Sequence, residues 1–367
     1  MKRSCRPASE NLRRNSPNTD SNAARTAIGW RQSSLGSEDA TAGVIAALVG
    51  AAFPFSAGAQ PSGKVPLVVY VAQGPEDDAD ERARAAAFRT GFEKLGWMAG
   101  RNVSIEYRWG KIEWGKERPV ASEIVSTDPS VIVASSSTTM AEALRDATKS
   151  IPVVFVNVTD PLAIGLVNSM SRPEGNLTGF ADYQFSMGGY WLAVLKEAVP
   201  RVKRVLVISA PGDFGQEGLL RAASAVAAAG VGAKVVPAAV LTAAELEKEI
   251  NAFARDPNGG IIALPGDPSR AHRDVITTLA ARHRLPAIYG DRFAIARGGL
   301  MSYDADVVDL HRRAAFYVDR LLKGVKPSEL PVQLPTRYDL AVNLKAAKAL
   351  GLTIPLWFLA TADEVIE

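Results

Sequence analysis

Short β-branched runs alternate with Ala-rich amphipathic segments from Lys64 to the C terminus. Runs such as VIVA (131–134), VVFV (153–156) and IIAL (261–264) are apolar at every position. A strand facing water on one side would alternate, so these read as parallel strands covered by helices on both faces. The pattern predicts strands at Pro66–Ala72, Val103–Tyr107, Val131–Ala134, Val153–Val156, Arg204–Ile208, Val235–Pro237, Gly260–Leu264, Ala287–Tyr289 and Leu300–Tyr303. Helical spacing fills the gaps. Asp80–Leu95 puts Ala83, Ala87, Phe88, Phe92 and Leu95 on one face, and Gly96 ends it. Glu142–Lys149, Met187–Ala198, Gln216–Ala229, Ala243–Ala254, Arg270–Arg284 and Asp306–Leu322 follow the same logic.

Strand–helix–strand repetition argues for parallel sheets with right-handed crossovers. The series falls into two similar sets, Val65 to about Phe180 and Lys203 to Tyr289. Between them Asn176–Gln184 reads as an extended crossing, with further crossings expected at Asp291–Asp304 and Pro331–Leu340. The expected fold is therefore α/β, with two Rossmann-like doubly wound lobes joined by a multi-strand hinge. Lobe 1 is expected over 64–180 plus about 292–325, and lobe 2 over 181–291 plus about 326–367. A single larger doubly wound sheet is the alternative.

Ahead of this pattern lies an uncharged run, Ala42–Phe55, which leads into Ser56-Ala57-Gly58-Ala59-Gln60. It falls short of the ~20 apolar residues that span a bilayer. Ala57-x-Ala59 is the small-x-small pattern of a signal-peptidase site, so residues 1–59 read as a presequence cleaved after Ala59 and the remainder as exported to the periplasm. The preceding polar stretch lacks periodicity and reads as disordered. It exceeds an ordinary signal peptide, so the true start is expected nearer Ala42.

Charge divides at the same place. Residues 1–40 carry seven basic against four acidic side chains, which accounts for the whole chain's +3. The chain beyond Gln60 is formally neutral and offers no net basic footprint for nucleic acid. The single cysteine, Cys5, lies in the presequence, so the mature chain has no disulfide, thiolate nucleophile or Cys-based metal site. His272, His283 and His311 are scattered without metal-ligand spacing. No cofactor or metal is expected.

Several segments carry a family resemblance: SVIVASSSTT (130–139), IPVVFVNVTDPLAIGLVNSMSRPEGNLTGF (151–180), GGLMSYDAD (298–306), RRAAFYVDRLLKGVKPSELPVQLPTRYDLAVNLKAAKALGLTIP (312–355) and the terminal ADEVIE. Together they closely resemble the substrate-binding proteins of ABC importers of the tryptophan/tyrosine type, over essentially all of residues 64–367. The resemblance implies a type I periplasmic binding fold and capture of a small solute, with amino acids as the best-supported ligand class. It also implies delivery to separate permease and ATPase subunits, and a monomer is expected.

Ligands of doubly wound lobes sit beyond the carboxyl ends of the strands. Ser135, Ser136, Ser137 and Thr138, after VIVA, open a helix whose free N–H groups suit an anion, though one hydroxyl would serve as an ordinary cap. Thr159 and Asp160 come after VVFV, and Asp160 suits a ligand ammonium or a cap before Pro161. Gln73 stands just past the first strand. Asp213, Asp267 and Asp291 stand past strands of the second set as ligand contacts or turn residues. Tyr183 and Tyr303 lie where a ring would stack on a ligand or fill the core. Enzyme readings find no G-x-G-x-x-G after the first strand, no phosphate-binding P-loop and no G-x-S-x-G elbow. A ligand-sensing module for a membrane receptor and, more remotely, an enzyme on the same scaffold are the other readings.

Overall fold

The strands form two separate sheets, which removes the single-sheet alternative. The structure, a computed structural model, describes residues 64–110, 115–135, 137–266 and 268–367. The expected presequence with its cleavage site lies outside these residues, as do Ser136 and Asp267.

The first sheet contains β1 (Leu67–Val71), β2 (Ser104–Arg108), β3 (Val131–Ser135), β4 (Val153–Val158) and β5 (Leu177–Ala181), all parallel, in the order β2-β1-β3-β4-β5. The second contains β6 (Arg204–Ser209), β7 (Lys234–Ala239), β8 (Gly259–Ala263), β9 (Ala287–Tyr289), β10 (Met301–Ala305), β11 (Tyr338–Asn343) and β12 (Glu364–Ile366), ordered β7-β6-β8-β9-β10-β11-β12. Its first five strands repeat the order of the first sheet. β11 is antiparallel to β10, and β12 runs parallel to β11.

The helices are α1 (Ala79–Lys94), α2 (Glu117–Ser126), α3 (Thr138–Ala147), α4 (Met187–Ala198), α5 (Phe214–Val226), α6 (Ala243–Phe253), α7 (Arg273–Arg282), α8 (Phe293–Ala296), α9 (Val307–Leu322), α10 (Leu344–Ala349) and α11 (Leu356–Leu359). In the first lobe Phe88 and Phe92 of α1, with Leu310 and Ala314 of α9, cover Val68 and Tyr70 of β1. On the other face Ile124 of α2, with Met140 and Leu144 of α3, covers Val69 and Val71. Alternate residues of β1 thus enter opposite cores, which is why the strand has no charged position. The second lobe repeats this, with Trp191, Leu195 and Leu219 over Val205 and Val207. On its other face Leu246, Ile250 and Ile276 cover Leu206 and Ile208.

The chain crosses between lobes after β5, after β10 and again before β11. Lobe boundaries therefore differ from those expected. Residues 292–305, expected in lobe 1, belong with lobe 2, because β10 pairs with β9 in the second sheet and Leu300 and Met301 join its core. Conversely, the stretch up to Gln333 lies against the first sheet, where the Gln333 N–H donates to the Gly179 carbonyl at 3.0 Å. The crossing read at Asn176–Gln184 contains β5, and that read at Pro331–Leu340 leads into β11.

One close approach fixes the second lobe's helix layer. A Cβ at Gly188 of α4 would stand 1.9 Å from the Leu219 carbonyl oxygen of α5. Gly188→Ala must push these helices apart and is expected to cost about 1–3 kcal/mol in urea unfolding. A cost under about 0.5 kcal/mol, the range of a neutral surface change, would show that the contact is not constraining.

Candidate ligand-binding cleft

Because the two lobes share one strand order, each has its switch point between equivalent strands: β1 and β3 in the first, β6 and β8 in the second. Open α/β sheets present their binding crevice at this point. Residues just past these strand ends meet in one cleft with two adjoining chambers.

The first chamber is lined by Gln73 after β1, Ser137, Thr138 and Thr139 at the start of α3, Asn157 and Thr159 around the end of β4, and Asp182 after β5. The second lobe supplies Asp213 and Gln216 of the β6–α5 turn and Pro265 and Gly266 after β8. Ser137 caps α3, accepting the Met140 N–H at 3.1 Å. Asp213 caps α5, accepting the Gln216 N–H at 3.0 Å. Asp182 is buried, and that desolvation pushes its carboxyl up to about 7 against the lowering effect of hydrogen bonds from Thr159 and the Tyr183 N–H. Burial raises Asp213 as well. Among the described residues, the lining of this chamber contains no Lys or Arg to balance the two acids. Asp182 is buried and Asp213 half-buried, and acids so withdrawn from water are poised to accept a cation. A few residues away, the N-terminus of α3 points its first N–H groups out of the helix and offers an anion subsite.

The second chamber shares Gln73, Asn157, Pro265 and Gly266, and adds Arg84, Tyr183, Arg270, Gly290, Asp291, Asp304 and Val307. Burial pushes Asp304 up to about 7, with Asp291 adding to the rise, while the Tyr183 hydroxyl and Arg292 N–H both donate to it. By volume the chambers hold about 30 and 20 Å³.

Charge also joins the lobes beside the second chamber. Arg273 of α7 donates to Asp80 of α1 at 2.8 Å and, through Nε, to Asp291 at 2.9 Å. Arg270 reaches Glu81 of α1 at 3.0 Å, and Arg84 reaches the same Glu81 oxygen at 2.9 Å.

Of the residues singled out in the sequence, Gln73, Ser137, Thr138, Thr159 and Asp213 line the first chamber, and Gln73, Tyr183 and Asp291 the second. Three stand elsewhere. The Ser135 side chain is enclosed in the first lobe, where its Oγ lies 3.1 Å from the Tyr70 hydroxyl and 2.8 Å from His311 Nε2, clasping α9 to β3. The Asp160 carboxylate accepts the N–H groups of Ala163 at 3.2 Å and Phe185 at 3.1 Å, so it organises the turn instead of facing the chambers. Tyr303 packs between Tyr190 and Tyr338, with ring centroids 4.7 and 5.7 Å away.

Sequence reasoning missed Arg84, Asn157, Asp182, Gln216, Arg270 and Asp304. Asn157 is the most instructive. The β4–β5 register shifts between Val156 and Val158, and Asn157 sits in that bulge with φ +64. Bulges re-aim side chains, and left-handed non-glycine backbone is strained. Its place just after VVFV was visible, but its backbone was not.

Two doubly wound lobes closing on a polar cleft define a binding protein of the type I periplasmic kind. The chain belongs to the ABC transporter substrate binding protein family, whose family model matches residues 69–366. It is 25% identical over 266 residues to a tyrosine-binding protein of Clostridioides difficile strain R20291, covering 72% of this chain and 75% of that protein. A crystal structure of a conserved domain protein from Vibrio cholerae is similar at a TM-score of 0.75 and 29% identity, covering 82% of this chain and 100% of that one. An ABC domain from Streptococcus pneumoniae in complex with L-Trp shares the fold at a TM-score of 0.75 and 22% identity, covering 83% of this chain and 100% of that one.

Proposed function

We propose that this protein is the exported, solute-capturing component of an ABC importer and that it takes an amino acid or a close relative, without chemical turnover. The observation carrying this reading is the first chamber. It sets two carboxylates, the buried Asp182 and the half-buried Asp213, near the hydroxyls that open α3 and its N-terminal N–H groups. An α-amino acid presents an ammonium and a carboxylate a few ångströms apart, matching that pairing. The names of the Clostridioides and Streptococcus relatives support the same class. Ligand contact from both lobes favours the closed form, which the permease would then read.

Isothermal calorimetry of the full chain against the proteinogenic amino acids tests the reading, and heat from at least one is expected. Silence across the panel would remove it. Asp213→Asn keeps an N-cap, since Asn caps as well as Asp. It removes the charge, and the affinity is expected to drop at least about tenfold, ~1.4 kcal/mol. An unchanged affinity in a folded variant would take Asp213 out of the site.

A further inference from the structure

We propose that the solute bound here carries a neutral side chain that both donates and accepts hydrogen bonds, such as a carboxamide, and that this side chain lies in the second chamber between Arg84 and Asn157. The proposal rests on the amino-acid reading and sharpens it.

Arg84 is 3% exposed. Its Nη1 is held by Glu81, yet its buried Nε–H has no hydrogen-bond partner among the described residues. Asn157 lines both chambers, and its buried Oδ1 is likewise unpartnered among those residues. A buried donor and a buried acceptor left unmade are each costly, and native structures seldom leave them so without a reason. A ligand oxygen accepting from Arg84 and a ligand N–H donating to Asn157 would satisfy both. A carboxamide carries the two together.

Charge selects against ionised alternatives. The lining holds Arg84 and Arg270 together with Asp291 and Asp304, and the two arginines are already paired with Glu81, and Asp291 with Arg273. A side chain with net charge gains from one pair only by meeting the other.

An aromatic side chain fits poorly. Tyr183 is the one aromatic residue in either lining among the described residues. Its ring is already stacked on Tyr338 at 5.7 Å and set edge-on to Trp191 at 5.0 Å, and its hydroxyl is given to Asp304. The Arg84 guanidinium, which could otherwise cover a ligand ring, lies over Phe293 at 5.7 Å. An indole or phenol ring in this chamber would desolvate the arginines and acids without pairing them. A site built from such groups rejects ligands that cannot bond to them.

The test is calorimetry of the full chain with L-glutamine, L-asparagine, L-glutamate, L-tyrosine and L-tryptophan, repeated on Arg84→Lys and Asn157→Ser. The better amide is expected to bind at least about tenfold more tightly than either aromatic or glutamate, ~1.4 kcal/mol. Arg84→Lys keeps a charge for Glu81 but loses the planar fork, and Asn157→Ser loses the amide oxygen. Each should shrink the amide-to-aromatic affinity ratio at least about fivefold, ~1 kcal/mol. If Arg84→Lys fails to fold by circular dichroism, Asn157→Ser carries the placement alone. Tighter binding of an aromatic amino acid overturns this inference and leaves the amino-acid reading standing, and tighter binding of glutamate overturns the neutral class. Preserved ratios in folded variants overturn the placement. Absence of binding by all five overturns this inference, whereas silence across the full panel above also removes the amino-acid reading.

Discussion

Replacing Arg273 by Met is expected to cost about 3–5 kcal/mol in urea unfolding, the range for removing one member of a buried ion-pair cluster. Arg273 is 4% exposed and serves carboxylates from both lobes, Asp80 and Asp291. Its loss strands both. Arg297, 3.7 Å from Asp80 and partly exposed, is too loosely placed to replace it. Lys should rescue only in part, because one ammonium cannot reproduce a fork that reaches Asp80 and Asp291 in different directions. Adding Asp80→Asn to the Met variant should return part of the loss, as a neutral amide tolerates the vacated space better than a buried charge. Since the Asp80 contact joins the lobes, small-angle scattering should show a larger radius of gyration for Arg273→Met. A cost below about 1 kcal/mol, the worth of a surface pair, would mean that the cluster is solvated and does not bind the lobes.

Stability and ligand affinity should move in opposite directions with pH. Asp182 and Asp304, each pushed up to about 7, compare with about 3.9 in an unfolded chain. As pH rises from about 4 to 7 the unfolded chain releases these protons while the folded one keeps them. Stability from both acids therefore falls through that window and levels off above it. His311 opposes them. Burial pushes it down to about 3, against about 6.5 unfolded, so its contribution is complete above 6.5 and lost as pH falls toward 3. Two acids outweigh one histidine, and the urea midpoint should be higher at pH 5.5 than at pH 7.5. Asp182→Asn should narrow that gap by at least about 1 kcal/mol. Binding of an ammonium requires the Asp182 carboxylate ionised. With a titration near 7, affinity should fall about tenfold between pH 8 and pH 6. A midpoint that rises toward pH 7.5, or an affinity indifferent to pH, would contradict this assignment of charge.

Much of the scaffold was legible because parallel strands buried on both faces leave an unbroken apolar signal. VIVA, VVFV and IIAL appear as β3, β4 and β8 within a residue or two. The elements that were missed lack that signal. α2 begins in polar sequence, and β5 and β11 read as extended crossings because their partners, β4 and β10, are chosen by tertiary packing. The rule that ligands gather past strand ends reached Gln73, Ser137, Thr138, Thr159 and Asp213. It gave too much weight to Ser135 and Asp160, whose side chains the fold uses internally, and no weight to Arg84, which stands on a helix. Asn157 escaped because a bulge is a property of the paired strands and not of one segment's composition.

The return of α9 to the first lobe has a consequence for how the chain is made. Trp97 donates to Asp319 at 2.9 Å across a sequence separation of 222 residues. The apolar face formed by Val68, Tyr70, Phe88 and Phe92 stays uncovered until Leu310 and Ala314 arrive. A ribosome releasing this polypeptide from its N terminus completes the intervening second-lobe strands β6–β10 before the helix that closes the first lobe exists. Non-local closure of this kind slows folding and leaves sticky surface exposed meanwhile. Slow closure of this kind suits a polypeptide that, as we propose, crosses a membrane unfolded before it acts.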